Sequence, residues 1–567
     1  MPSQCYWSVC FFHLSKDAPK FFGFSEYLAA VALMALAWTI ADVRYKFRIA
    51  TAPFPLQVTT YSVIGVIGVL TLLTDWWRAE QWLVPEGSLM TCARWQALLG
   101  FVFLTNFMVW AWFAFIKPPT YSKFNALRFA REVYKTVLRG SSAEMAEIAD
   151  ELARSAEALV RNAWQSCDAD IADAMAPKSN KKPSRHYLTR QCATDILLLI
   201  ADKKFCRQAV TSSPIIAIAL FEETQLQGRY QIPLGTFARN FTAEAIANKD
   251  SFAFHETEGY YTGFIGYQKP ITRSVYGSYN TVVQLDELFD IPYDEQRRWD
   301  AHQWEAFCRL LLSSIRDAAQ NSISIEYQPA IAGAIESVGR SVNHLHKLNG
   351  TSLESWDSDE VKKLTVAVEF SIKFVEILNK HHEKLNITLR RSSDDHQRDI
   401  CDAIAEFMFE LIFNASAIKS PRDLCWSVQH NDVWSSFFNN SQMDGRAGNI
   451  VRFKLKRLLI NQINEMNEFP NFRNSRILGL MLNVMGLKEH RHAYGKSTRS
   501  LHRLVIRWTV KNYARLAKVR PALAENALVD GLTYDRHLQQ LVHVKKSLLD
   551  RKVEPIVLQL APVPSES

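Results

Sequence analysis

Apolar residues crowd into the first 120 positions, in three runs parted by polar stretches: Phe24 to Val43, Val58 to Leu73 and Trp95 to Ile116. A helix needs about 20 mainly apolar residues to cross a hydrocarbon core of about 30 Å. The third run meets that length outright, the first meets it with polar ends, and the second reaches it by taking in Thr74. Each predicts a membrane-spanning helix, with bounds near 24–43, 58–74 and 95–116. Trp76, Trp77, Trp82, Trp95 and Trp112 stand at the run ends, where indole rings favour the membrane–water boundary. Asn106 falls at the centre of the third run, and an amide in hydrocarbon is expected to hold spans together within the chain or between copies. Ionisable residues are absent from mid-span, with Glu26 and Asp42 only at the ends of the first run. That argues against a coupled transporter or proton path.

Beyond residue 120 the pattern takes on a helical period. Ser141 followed by Glu144 is a capping-box start, with Met145, Ile148, Leu152 and Leu159 at helical spacing behind it. Residues 121–175 therefore predict juxtamembrane amphipathic helices, and the polar run 176–186 a linker. A mixed segment, 187–290, follows. In it Phe252, Phe254, Tyr260, Tyr261, Phe264, Tyr267, Tyr276 and Tyr279 alternate with glycines and predict a packed hairpin or ordered loop. From 291 to 552 nearly every segment is helical in period, without a repeat of fixed length, and 553–567 predicts a loose tail. The expected fold is mainly α, an N-terminal bundle of three transmembrane helices followed by a large helical cytoplasmic domain with a small irregular or β insert.

Charge then orients the chain. Arg44, Lys46 and Arg48 follow the first run, and Lys117, Lys123, Arg128, Arg131, Lys135 and Arg139 follow the third. Basic residues collect on the cytoplasmic side of short loops. This places the N-terminus outside and the C-terminal region in the cytoplasm, as for an integral protein of a bacterial inner membrane. Nine scattered cysteines form no CxxC pair, in keeping with a reducing compartment, and only Cys5 and Cys10 fall outside together.

The chain carries a net +8, yet residues 450–520 hold sixteen Lys and Arg against Glu465, Glu468 and Glu489. Within them Arg499, Arg503, Arg507 and Lys511 recur every four residues, with Lys518 on the same side. Leu501, Leu504, Val505, Trp508 and Leu516 take the opposite sector, which makes a basic amphipathic helix. Such a helix suits an anionic lipid surface at about 1 kcal/mol per basic residue. It equally suits nucleic-acid phosphates, an acidic protein partner, or solvent.

The search for catalytic chemistry is mostly negative. Metalloprotease, nucleophile-elbow, dinucleotide and kinase signatures are missing, as is Cys/His zinc spacing, so neither cofactor nor metal is expected. The tripeptide Gly495-Lys496-Ser497 looks like a phosphate loop, but His490 stands where the first glycine is required. His344/His346 and His381-His382 lack companion ligands. Arg536 with His543 resembles the Arg–His ribonuclease centre of HEPN domains, on a segment expected to be helical. Arg297/His302, Arg340/His346, Arg390/His396 and Arg391/His396 share the spacing, about the number that composition alone produces.

The expected function is a membrane effector or sensor, more binding protein than enzyme. Its cytoplasmic helical domain detects a ligand or partner and controls a small oligomerising membrane bundle, a layout shared with bacterial defence and toxin-like effectors that act on membrane integrity. The alternatives are a membrane-tethered HEPN-like ribonuclease using Arg536 and His543, and a membrane-tethered nucleic-acid-binding protein using the basic helix.

Overall fold

A computed structural model of the chain describes residues 4–6, 9–13, 20–40, 42–85, 91–168, 183–256, 260–262, 265–267, 270–323, 328–351, 357–385, 387, 399–488, 498–544 and 554–562. It is mainly helical with a few short strands. Two compact units divide the chain, Met1–Phe237 and Ala238–Ser567.

The first unit opens with α1 (Phe24–Ile40), α2 (Val43–Ala50), α3 (Leu56–Ala79) and α4 (Cys92–Ala111), the last prolonged by a π-helical turn, Trp112–Ile116. Leu56–Ala79 and Cys92–Ile116 are long and apolar enough to cross a membrane. The first run is shorter than expected. Asp42 accepts a hydrogen bond from the Val43 N–H and starts a separate helix, so the apolar helix ends at Ile40, about 25 Å at 1.5 Å per residue.

α1 lies close against α3. Tyr27 Oη donates to the Ile64 carbonyl at 3.0 Å, and a Cβ at Gly68 would stand 2.5 Å from that hydroxyl. Glycine at 68 is what lets the tyrosine ring lie on the α3 backbone. Tyr27, Ile64 and Ile67 form the core there, backed by Phe22, Phe24 and Phe103. On the outer faces Leu33, Leu36, Val66, Val69, Phe101, Leu104 and Met108 are all more than half exposed. At one end a three-stranded antiparallel sheet joins Gln4–Tyr6, Val9–His13 and Leu83–Pro85, with Cys5 opposite Cys10 in register.

The unit continues with α5 (Ala126–Arg139), α6 (Ser142–Ala153) and α7 (Ala156–Asn162), and then with the helices Arg185–Leu199, Lys203–Ser212 and Ile215–Gln227. The capping box of α6 forms in full, Ser141 Oγ accepting from the Glu144 N–H and the Glu144 carboxylate from the Ser141 N–H. Phe129, Val133, Ile148, Leu152, Ile196, Phe205 and Phe221 are buried beneath these helices.

In the second unit the helix Asp359–Lys380 is central, packed by Ala301–Gln320, Ile400–Ala415 and Arg446–Glu465. The expected hairpin forms between Tyr260–Thr262 and Ile265–Tyr267, and Phe252 and Tyr276 beside it are buried, Phe252 stacking on both Phe241 and Tyr276. Residues 532–543 are strand rather than helix. Leu532–Asp535 pairs antiparallel with Gln540–His543, which in turn pairs with Ile556–Gln559. That third strand lies in the stretch expected to be a loose tail, and the turn between the first two is closed by Gln539 at φ 47°.

Candidate functional site

A densely bonded polar cluster of the first unit sits where the apolar helices meet the helices that follow. α2 carries Arg44 and Arg48 one helical turn apart, and α6 carries Glu147 and Glu151 with the same spacing, so two cations on one face meet two acids on another. Arg48 is only 5% exposed and Glu151 3%. Glu151 Oε1 accepts from Arg48 Nη2 at 2.7 Å and from Arg48 Nε at 3.0 Å. Arg48 Nη1 donates to the Ala114 carbonyl at 2.9 Å, in the π-helical turn that ends the third apolar run. A π turn leaves a carbonyl out of the usual i to i−4 ladder, and here a guanidinium claims one.

Arg44 completes the cluster, its Nε 2.6 Å from Glu147 Oε2 and its Nη2 3.0 Å from Asp150 Oδ2. Burial works against its charge, but the hydrogen bond to Glu147 and the charges of Glu147, Asp150 and Glu151 outweigh that and hold its pKa above the usual value. Below, Asn125 Nδ2 donates to the carbonyls of Thr51 and Thr120 at 2.7 and 2.9 Å. Arg128 Nη2 donates to Ala52 and Pro53 at 2.8 and 2.7 Å. The carbonyls of the turn just after α2 are thus held by the start of α5, and the apolar cluster of Ile49, Ala52, Leu56, Trp110 and Ala114 fills the space beneath. An ion pair this deeply buried is expensive to break from one side, since the stranded charge costs about 3–5 kcal/mol. The arrangement therefore ties α2, the end of α4 and α6 into one mechanical piece.

α5 continues the junction with an exposed stripe. Leu127, Tyr134 and Leu138 on the helix and Phe124 just before it are more than half exposed, beside exposed Arg131, Lys135 and Arg139, while Phe129, Val133 and Val137 face inward. Exposed apolar and basic side chains on one helix suit a bilayer surface.

The residues singled out in the sequence fare differently. The basic helix forms as Arg499–Val519, with Leu501, Val505, Trp508 and Leu516 buried, Leu504 half-buried, Arg503, Arg507, Lys511 and Lys518 exposed, and Arg499 half-buried. Thr498 precedes it without a side-chain capping bond. Much of the neighbouring positive charge is used internally. Arg452 is buried against the Phe437 and Asn440 carbonyls and Asp444, and Lys454 lies 3.0 Å from Asp399 and 2.6 Å from Asp402. Burial opposes the Lys454 charge, but its hydrogen bonds to the two aspartates raise its pKa. Burial likewise opposes the Asp402 charge, and the Lys454 hydrogen bond wins and lowers the Asp402 pKa.

Arg536 lies in the tight turn after Leu532–Asp535, exposed and 3.8 Å from Glu525, whereas His543 is 3% exposed and pairs across the hairpin with Leu532, at the end away from the turn. The hairpin does not bring them onto one helical face. Asn106 Nδ2 is enclosed and has no hydrogen-bond partner among the described residues. Gly495-Lys496-Ser497, Arg390, Arg391 and His396 lie outside the described residues. Among the described residues no group of three His, Cys, Asp or Glu is placed to hold a metal.

In the sequence Arg44 and Arg48 stand as loop charge and Glu147 and Glu151 lie 103 positions further on in an amphipathic helix, with nothing local to pair them. The matching four-residue spacing was the signal that could have joined them.

The second unit contains a cleft of about 810 Å³ along the helices Pro329–Arg340, Ile400–Ala415 and Arg446–Glu465. Phe407 and Phe409 line it with Glu336, Glu410, Arg340 and Arg473. Its volume falls in the range of about 300–1,000 Å³ typical of small-molecule sites. Comparison of the chain with known protein families, with curated proteins and with solved structures finds no match.

Proposed function

We propose that this protein is an integral membrane effector. In this reading α1, α3 and α4 form a small oligomerising bundle in a bacterial inner membrane, and the helical remainder lies in the cytoplasm and controls it. The observation that carries the reading is the buried Arg48–Glu151 pair with its third arm on the Ala114 carbonyl. It joins α2, which follows the first apolar helix, and the end of the third apolar run to α6, so that a displacement of α6 reaches both. The exposed apolar belt of α1, α3 and α4 supports the placement, because soluble monomers rarely leave contiguous apolar patches beyond a few hundred Å². The α5 stripe, directly after the third apolar run, supports an inner-leaflet position for the junction. The cleft lined by Phe407 and Phe409 is the place where the helical domain receives a small ligand. The bundle responds by rearranging in the membrane and admitting ions. On this proposal the exposed Arg503, Arg507 and Lys511 stripe offers a second contact for anionic lipid or an acidic partner.

The test is induction of the full chain in bacterial cells with a potential-sensitive dye, together with alkaline extraction of the membranes. Depolarisation with the chain retained after extraction is expected. A chain released by alkali, or one that leaves the potential intact while the purified protein cleaves RNA, would contradict the proposal.

A further inference from the structure

The bundle encloses a pocket of about 190 Å³ between α1, α3 and α4. Its walls are the aliphatic Val31, Met34 and Ile64 and the rings of Trp38, Tyr61 and Trp110. For scale, an engineered apolar cavity of about 150 Å³ stays dry and accepts benzene. Exposed Ala35 and half-exposed Tyr61 also line the pocket, so it opens on the lateral surface of the bundle.

Thr39, Gln57 and Thr60 add polar groups to the lining, and of these Thr60 is the buried one. It is 3% exposed, lines the pocket, and its hydroxyl makes no hydrogen bond. The other α3 threonines differ, since Thr59, Thr71 and Thr74 each donate to a carbonyl three or four residues back along their own helix. A buried hydroxyl left unpaired costs about 1–3 kcal/mol, so the position favours an occupant that brings an acceptor. Thr60 stands four residues inside α3, about 6 Å from its start at Leu56.

We infer that this pocket binds one acyl chain of a bilayer phospholipid, with the ester carbonyl accepting from Thr60 Oγ1 and the methylenes lying against Trp38, Ile64 and Trp110. The inference rests on the reading of α1, α3 and α4 as membrane-embedded. On that reading Thr60 sits at the boundary between headgroups and hydrocarbon, where ester carbonyls lie, and the lateral opening gives a lipid direct entry. Trp110 is shared between the pocket wall and the cluster with Ile49, Ala52 and Ala114. The chain thus presses on the floor of the Arg48–Ala114 junction, which makes the bound lipid a structural part of the signalling piece.

The experiment uses the full-length protein in detergent micelles with a trace of phosphatidylethanolamine carrying a diazirine in its acyl chain. Irradiation is followed by peptide mapping, with rising amounts of unlabelled phosphatidylethanolamine or of free fatty acid. The expected result is a saturable adduct on residues 31–39, 57–64 or Trp110, displaced by the phospholipid. Thr60→Val, which keeps the side-chain volume, should weaken it about fivefold, the loss of one hydrogen bond near 1 kcal/mol. Ala35→Trp, at the exposed mouth, should abolish the adduct with thermal stability retained. Adducts spread over Val66, Val69, Phe101 and Leu104 and insensitive to competitor would overturn the inference. Displacement by free fatty acid alone would overturn it too. A chain that alkali strips from membranes overturns the membrane reading and this inference together, whereas a retained chain with diffuse labelling overturns only the inference.

Discussion

Arg48 Nη2 lies 2.7 Å from Glu151 Oε1, inside a region where neither side chain is more than 6% exposed, and the two residues are 103 positions apart in the chain. The contact makes the helix that follows the first apolar run inseparable from α6. Removing one charge strands the other. Glu151→Leu alone is expected to cost about 3–5 kcal/mol, while adding Arg48→Met to it should recover most of that loss. Thermal unfolding of the four chains of this double-mutant cycle in detergent measures the coupling, and additive losses would show that the pair is not a unit.

Asn106 makes the opposite case. Its Nδ2 is enclosed without an acceptor among the described residues. Asn106→Leu is therefore expected to leave the melting temperature unchanged or to raise it, by about 1 kcal/mol in stability. A clear loss of stability or of oligomer on gel filtration would show that the amide finds its partner in a second copy.

Two basic residues from the same charged stretch should behave differently on substitution. Lys454 is buried between Asp399 and Asp402, and Lys454→Met should cost about 1.5–3 kcal/mol by removing the charged donor that both carboxylates share, while their capping bonds at the start of Ile400–Ala415 remain. Arg503→Gln and Arg507→Gln, on the exposed stripe, should change stability by less than about 0.5 kcal/mol. Chemical denaturation of the three variants checks the contrast.

The same cluster sets a pH response. The Asp402 pKa is lowered in the folded chain, so the stability it adds is present above the ordinary carboxylate pKa and is lost as pH falls through the lowered value. The Lys454 pKa is raised, so its contribution is complete below the ordinary lysine pKa and is lost as pH rises through the raised value. Melting temperature is expected to hold level from mild acid through neutral pH and to fall below about pH 4. In Lys454→Met that acid limb should be shallower. An equal acid limb in both proteins would assign the response elsewhere.

Much of the helical architecture was legible because its signals are local. The Ser141–Glu144 capping box and the spacing of Met145, Ile148 and Leu152 lie within a few turns, and so does the alternation of Arg503 and Arg507 with Val505 and Trp508. The strands at 532–543 were not legible. Four residues of period two are too few to distinguish, and Leu538 and Leu541 fill the helical spacing around the turn. The break after Ile40 was missed because Asp42 reads equally as the polar end of a span and as the cap of a new helix. A local count of charge does not show its use either, since Arg452 and Lys454, two of the sixteen basic residues of 450–520, are enclosed by carbonyls and carboxylates brought in by the fold. The junction was hidden for the same reason, because both of its halves were visible but only the fold brings them together.

The central claim is that the Arg48–Glu151 contact transmits to the bundle, and membrane potential on induction tests it most directly. Cells expressing the natural chain are expected to depolarise. Cells expressing Glu151→Gln, with the same amount of chain retained in alkali-washed membranes, should keep their potential or lose it at least about tenfold more slowly, as loss of about 1.4 kcal/mol of coupling would give. Equal depolarisation by the two chains at equal membrane content would contradict the account.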